Sequence, residues 1–172
     1  DAAVTDRLLD GLAASVRERG YRDTTVADIV RHARTSKRTF YEQFDSTGLS
    51  RHEALTLASM VELEAVAADE RATISSVFHR RLKLNRRLES CATVEYALGV
   101  HKKRLTNQDL RVKSPYNTYR HRGLPPGPIG SPGRASIHAA LHPEETEYLY
   151  FVARGDGTHE FSRTNEEHEA AK

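Results

Sequence analysis

The sequence predicts an α+β fold in which a head of three helices, the second and third forming a helix-turn-helix, precedes a mainly helical domain with a small antiparallel β-hairpin. Three observations support this prediction. Apolar residues recur at three- and four-residue spacing in the first 46 residues and again over residues 51–84, which is the helical period. Residues 114–133 are too rich in proline and glycine for a helix. Residues 147–152 have strand composition, and the Gly-Asp-Gly at 155–157 is typical of a hairpin turn.

Composition excludes several classes of protein. The 172 residues are 38% hydrophobic and carry 26 basic against 24 acidic side chains, so the net charge of +2 does not itself indicate a nucleic-acid partner. The single cysteine, Cys91, excludes an internal disulfide, and the histidines lack metal-binding spacing, so we predict no metal and no cofactor. No signal peptide or membrane-spanning stretch is evident, which predicts a soluble, cytoplasmic chain as written.

The first two helices of the head are predicted from their caps. Thr5 can act as the N-cap of a helix over residues 6–19, with leucines at helical spacing and Gly20 after its end. Thr25 and Asp28 form a capping-box pattern for a short second helix that ends near residue 33.

Residues 36–44 are predicted to form the third helix, with Phe40 and Phe44 facing inward. Two short helices joined by a tight turn, the second beginning with basic residues, are typical of a helix-turn-helix. The string TTVADIVRHARTSKRTFYEQF resembles the DNA-binding head of TetR-type repressors, over residues 5–46. The resemblance implies contacts with DNA from six residues: Thr25, Ser36, Lys37, Arg38, Thr39 and Tyr41. A small helical cap without a DNA function is the alternative.

The turn-rich residues 45–50 lead us to predict a boundary between domains 1–46 and 47–172. A helix over residues 51–68 is apolar on nearly all sides and is predicted to be buried. It contains Glu62 and Glu64, and apolar surroundings raise the pKa of a carboxyl as a general acid requires. Residues two positions apart point to nearly opposite sides of a helix, so the two carboxyls cannot act on one bond. An ion pair with an arginine is the alternative for each.

Further helices are predicted over residues 69–84, 92–99 and 134–141, with a short turn after Thr106 and a terminal helix capped by Thr164 and Glu167. The basic stretch HRRLKLNRR is interpreted as a solvated face or, second, as a contact for an anionic polymer. The Pro/Gly-rich loop over residues 114–133 is interpreted as a wall of a binding cleft or, alternatively, as a rigid connector.

A second resemblance covers nearly all of residues 48–172. The strings LTLASMVELEA, YALG, SPYNTY, GLPPGPI, SPG and EYLYFVARGDGTHEFSRTNEEHE resemble the catalytic part of the endolytic murein transglycosylases of the MltG (YceG-like) family. The resemblance implies cleavage of MurNAc–GlcNAc bonds in peptidoglycan with formation of a 1,6-anhydro ring, with Glu64 as the catalytic acid. It also leads us to expect five substrate-binding residues: Ser90, Tyr116, Asn117, Thr118 and Tyr119. Members of the family are anchored in the inner membrane and act on its outer side.

The chain departs from the family pattern at Arg80, at Cys91 with Ala92, and at Arg154, where the family usually has Asn, Asp-Pro and Asp. The two resemblances also belong to different compartments. We therefore hypothesise a chimera, joined at residues 45–48, of a repressor head and a transglycosylase segment truncated on its N-terminal side. The predicted function is lytic transglycosylase, and the alternative is a TetR-like DNA-binding regulator.

Overall fold

The structure, a computed structural model, describes residues 2–20, 23–45, 47–102 and 104–172. The chain divides into two compact units, and the division along the sequence falls between Ala54 and Leu55. The predicted boundary lies between residues 46 and 47, and Ser46, at the proposed join, is outside the described residues. The predicted domain limits therefore stay a prediction.

The first unit contains α1 (Ala2–Arg19), α2 (Val26–His32) and α3 (Lys37–Asp45). The predicted N-cap at Thr5 is wrong, because α1 begins at Ala2 and Thr5 lies inside the helix, 2% exposed. A Cβ atom on Gly11 would lie 2.5 Å from the carbonyl oxygen of Ile29. Glycine at this position therefore allows α1 and α2 to pack closely.

The capping box of α2 is confirmed. The backbone N–H of Asp28 donates to the Thr25 hydroxyl at 3.3 Å, and the backbone N–H of Thr25 donates to the Asp28 carboxylate at 3.2 Å. Phe40 of α3 is buried as predicted, at 1% exposure. The side chain of Phe44 lies outside the described residues, and its inward packing stays a prediction.

Helix α4 (Arg51–Glu64) ends at Glu64, whereas the sequence pattern predicts a helix to residue 68. The prediction that it is buried on all sides is also wrong, because Leu63 is 52% exposed and Val66, just after it, is 75% exposed. The backbone is extended at Ala67, and a 3₁₀ turn over Ala68–Glu70 leads into α5 (Arg71–Lys83). The early end of α4 leaves Glu64 at a helix terminus and puts Glu70 on a separate turn.

The rest of the second unit follows the predicted order. It contains α6 (Cys91–Leu98), a 3₁₀ turn at Asp109–Arg111, α7 (Arg134–Leu141), β1 (Tyr150–Ala153), β2 (His159–Ser162) and α8 (Asn165–Ala170). Gly99 ends α6 with a φ of 67°, which favours glycine. The strands pair antiparallel with Phe151 opposite Phe161, so the predicted hairpin is confirmed. None of the described helices is long and apolar enough to cross a membrane.

The Pro/Gly-rich loop (residues 114–133) fits both of its interpretations in part. Its second half packs on α4, where the backbone N–H of Ile129 donates to the Ser59 hydroxyl at 3.0 Å. Its first half carries Tyr119 into a cleft. The loop is therefore a connector held by α4 and also supplies a residue to the cleft wall.

Candidate active site

Glu64 faces a cleft of about 610 Å³ in the second unit. It is half-buried, and the hydroxyl of Ser90 donates to its Oε1 at 2.5 Å. The backbone N–H of Ala92 is also hydrogen-bonded to this carboxyl. Because Ser90 and Ala92 belong to the start of α6, the carboxyl lies at the positive end of that helix dipole.

Burial raises the pKa of Glu64 above the ordinary glutamate value. The hydrogen bonds from Ser90 and Ala92 and the charge of His159 act in the opposite direction, and the charge of Glu95 acts with burial. Burial is the largest of these effects. Glu64 therefore keeps its proton to a higher pH than an exposed glutamate, which suits a general acid.

Glu62 lies in different surroundings. Its Oε2 accepts hydrogen bonds from the Gly133 backbone N–H at 3.0 Å and from the Ser136 hydroxyl at 2.5 Å. Burial alone would raise its pKa, but these two bonds and the charge of Arg71 outweigh burial, so the pKa is lowered. The two carboxyls thus have separate partners, as their spacing on α4 predicts, and Glu62 anchors the end of the Pro/Gly-rich loop.

Two of the five predicted substrate-binding residues lie at the cleft or beside Glu64. Tyr119 lines the cleft with its hydroxyl 3.2 Å from the Sγ of Cys91, which also lines it. Burial and the neighbouring Cys91 and Glu64 raise the pKa of Tyr119, so its phenol stays neutral and can donate a hydrogen bond. Ser90 is buried and contacts Glu64 directly.

Asn117 is hydrogen-bonded to backbone groups. It is fully buried, and its amide donates to the carbonyl oxygens of Leu110 at 3.0 Å and Val112 at 2.9 Å. Its Oδ1 accepts the backbone N–H of Tyr119 at 3.0 Å. These bonds occupy both donors of the side-chain amide and one acceptor position of its oxygen. The sugar contact of Asn117 stays a prediction.

The side chains of Thr118 and Tyr116 contact α6 and the residue before it. The Thr118 hydroxyl is buried and accepts the backbone N–H of Ser90 at 3.0 Å. Tyr116 packs against Tyr96 of α6, with 4.8 Å between the ring centroids. Thr118 therefore supports the start of α6, and neither side chain is among the described residues that line the cleft.

Sequence reasoning missed Arg81, which was interpreted as part of a solvated basic face. It is 7% exposed, and its guanidinium donates to the carbonyl oxygens of Leu149 at 2.6 Å and Leu88 at 3.0 Å and to the Glu89 carboxylate at 2.9 Å. Its Cζ lies 5.0 Å from the ring centroid of Tyr150. The helical register with Ile74, Val77 and Phe78 was the available signal, since it places Arg81 on the buried face of α5.

Sequence reasoning also missed His159 and Glu70. His159 lines the cleft and is held by the Glu70 carboxylate, which belongs to the 3₁₀ turn after α4. No sequence signal connects residues so far apart. A histidine directly after a hairpin turn was the only local indication.

Comparison with known proteins decides the family. Residues 16–172 match the YceG-like family. The chain belongs to the YceG-like family. Within it, the chain is 43% identical over 154 residues to the endolytic murein transglycosylase of Bacillus subtilis (strain 168), a match that covers 87% of this chain and 43% of that protein. It is 32% identical over 136 residues to the endolytic murein transglycosylase of Streptococcus pneumoniae (strain D39), a match that covers 76% of this chain and 25% of that protein.

A solved YceG-like structure shows the same fold. The crystal structure of a yceG-like protein from Listeria monocytogenes matches with a TM-score of 0.73 and 33% identity, over 99% of this chain and 67% of that one. Of the B. subtilis and S. pneumoniae relatives, the chain spans less than half the length.

The YceG-like match begins within α1 and includes α2 and α3, the two helices of the predicted helix-turn-helix. None of the matched proteins named here is described as a DNA-binding protein. The comparisons therefore give no support to a repressor head or to a chimera.

Proposed function

We propose that this YceG-like chain is a lytic transglycosylase that cleaves MurNAc–GlcNAc bonds within peptidoglycan strands. The observation that carries the proposal is Glu64, a carboxyl of raised pKa that faces a cleft and is held by the Ser90 hydroxyl. The activity printed for the B. subtilis and S. pneumoniae relatives supports it.

Glu64 would act twice in the reaction. As a carboxylic acid it gives its proton to the glycosidic oxygen, the bond from that oxygen to the muramic C1 breaks, and the GlcNAc residue leaves with a free hydroxyl. As a carboxylate it then takes the proton of the muramic C6 hydroxyl, whose oxygen bonds to C1 and closes the 1,6-anhydro ring. The proton returns to Glu64, so no water is consumed and no second carboxylate is required. The separation of Glu62 from Glu64 is consistent with this scheme.

Neighbouring residues would support Glu64 in separate ways. The Ser90 hydroxyl and the α6 backbone hold the carboxyl in one orientation and stabilise its ionised form between the two proton transfers. Tyr119 would donate a hydrogen bond to the sugar from the cleft wall, and Asn117 fixes the backbone of Tyr119. We propose Tyr119 as the substrate contact, and Asn117 and Thr118 as positioning residues.

Digestion of purified peptidoglycan tests this function. We expect muropeptides with 1,6-anhydro ends, identified by mass spectrometry after complete digestion with a muramidase. A hydrolase would instead leave reducing ends with the mass of one added water. Reducing ends alone, or no products from folded protein, would contradict the proposal.

DNA binding by the first unit is the second candidate, because α2 and α3 are two short helices joined by a short turn. Lys37, Arg38 and Tyr41 are exposed on α3, although Arg38 is paired with Glu42 at 2.8 Å. A single head makes few phosphate contacts, and such binding weakens steeply with salt. In gel shifts with random-sequence duplex DNA, we expect no complex at roughly 150 mM salt. A complex that persists there, and that Lys37→Ala removes while Lys172→Ala does not, would establish DNA binding.

A further inference from the structure

His159 and Glu70 form a buried pair beside the cleft. The His159 Nδ1 lies 2.7 Å from Oε2 of Glu70, and the His159 backbone N–H donates to Oε1 at 3.0 Å. Their side chains are only 7% and 15% exposed. The carboxylate therefore accepts hydrogen bonds from both the ring and the backbone of His159. This fixes the ring orientation and keeps a proton on Nδ1.

The same imidazole acts on Glu64. His159 and Glu64 both line the cleft, and the charge of His159 favours the ionised form of the Glu64 carboxyl. The rings of Phe151 and Phe161 pack around the His159 ring, with 5.4 and 6.2 Å between centroids.

Other charged or titratable groups surround Glu64. Glu95 of α6 opposes its ionisation, and Cys91 and Tyr119 are neighbours whose own pKa values its charge raises. The other ionisable residues that line the cleft are Arg81, Glu89, Tyr150, His168, Glu169 and Lys172. The charge of His159 lowers the pKa of Glu64 and so opposes the effects of burial and of Glu95.

We propose that His159, held by Glu70, is a positioning residue that stabilises the Glu64 carboxylate between its two proton transfers. This inference rests on the proposed function. After Glu64 has protonated the leaving oxygen, the new carboxylate is half-buried and would otherwise be costly. A neighbouring imidazolium offsets that cost and also lowers the barrier for proton loss. The Glu70 carboxylate holds the imidazole in one orientation.

The experiment follows the Glu64 carboxyl directly, by ¹³C NMR titration of protein labelled at the glutamate carboxyl carbon. The Glu64 signal is assigned by its absence in Glu64→Gln. In His159→Gln we expect its titration midpoint to move to higher pH, because a neighbouring positive charge is lost. Glu70→Gln should move it in the same direction. His121→Gln, which changes an exposed histidine outside the described cleft lining, should leave it unchanged.

Turnover gives the second measurement. We expect His159→Gln to slow anhydro-product formation about tenfold, equivalent to about 1.4 kcal/mol in the barrier. The alkaline limb of its pH–rate profile should move upward with the Glu64 midpoint, since the acid must be protonated to act. A purely structural pair would lower thermal stability and leave the midpoint in place. An unchanged or lowered midpoint in folded His159→Gln and Glu70→Gln overturns the proposal.

The two measurements separate this inference from the proposed function. If the wild-type protein releases no anhydro products, the proposed function fails and the catalytic role of His159 fails with it. If products form but the NMR midpoint does not move, the function stands and only the role of His159 is wrong.

Discussion

Glu64→Gln is expected to reduce formation of 1,6-anhydro products by at least about 10³-fold, toward the upper range for loss of a general acid. The amide has nearly the same shape and can still accept the hydrogen bond from Ser90, but it can neither give nor take the proton. Because the same carboxyl serves both steps, no second group compensates. Product release is measured by mass spectrometry over a range of enzyme concentrations.

Stability measurements show whether the loss of activity in Glu64→Gln comes from the missing carboxyl or from unfolding. Burial raises the pKa of Glu64 in the folded state, so folding favours the protonated carboxyl. This group therefore makes stability decrease as pH rises from its unfolded pKa through its folded pKa. The neutral glutamine removes this loss of stability at higher pH. At neutral pH, Glu64→Gln should therefore unfold at the same temperature as the parent or at a higher one. An inactive variant that is strongly destabilised would leave unfolding as the cause.

Glu62→Gln is the matched control for activity. It lies two residues away on the same helix but binds Gly133 and Ser136 instead of facing Ser90. We expect it to weaken the anchoring of the Pro/Gly-rich loop, with a much smaller effect on product formation than Glu64→Gln. Equal loss of activity in the two variants of unchanged stability would contradict the assignment of Glu64 as the single acid.

Asn117→Leu is expected to lower the free energy of unfolding by roughly 3 kcal/mol, since it leaves several backbone groups without partners. Leucine has the same branched arrangement of side-chain heavy atoms but no polar group, and its bulkier methyl groups also strain the packing of this fully buried site. The carbonyl oxygens of Leu110 and Val112 and the N–H of Tyr119 all lose a partner. Urea unfolding followed by circular dichroism at the transition of the second unit measures the effect.

Asn107→Ala, an exposed asparagine in the preceding segment, is the control and should change stability by less than about 0.5 kcal/mol. Asn117→Leu should also reduce activity, because Tyr119 loses its backbone support. If Asn117→Leu keeps full stability and only weakens substrate affinity, the originally predicted sugar contact is right and the positioning role is wrong.

Local features of this protein could be predicted well from sequence. The capping boxes at Thr25 and Thr164, the limits of α7 and the hairpin turn at Gly155–Gly157 all form as expected. Each depends on residues within a few positions of one another. The opposite directions of Glu62 and Glu64 follow in the same way from helix geometry alone.

The two family resemblances had different outcomes. The transglycosylase motifs identified the family correctly. The pattern in residues 24–44 predicted helices α2 and α3 nearly within their limits, yet the DNA-binding function attached to it gains no support from the comparisons. Spacing of apolar residues and caps specifies two helices and a turn, and many unrelated proteins use that same local arrangement.

The sequence alone determined where helices, turns and the hairpin form, because periodicity and capping act between near neighbours. Only the tertiary structure decided where α4 ends and that the Asn117 amide is hydrogen-bonded to backbone groups. It also decided that Glu70 contacts His159, 89 positions away. Those outcomes depend on which distant polar groups are buried together and must satisfy one another. The apolar pattern of α4 thus predicted the raised pKa of Glu64, whereas the hydrogen bond from Ser90 and the shared cleft with His159 depend on packing between distant parts of the chain.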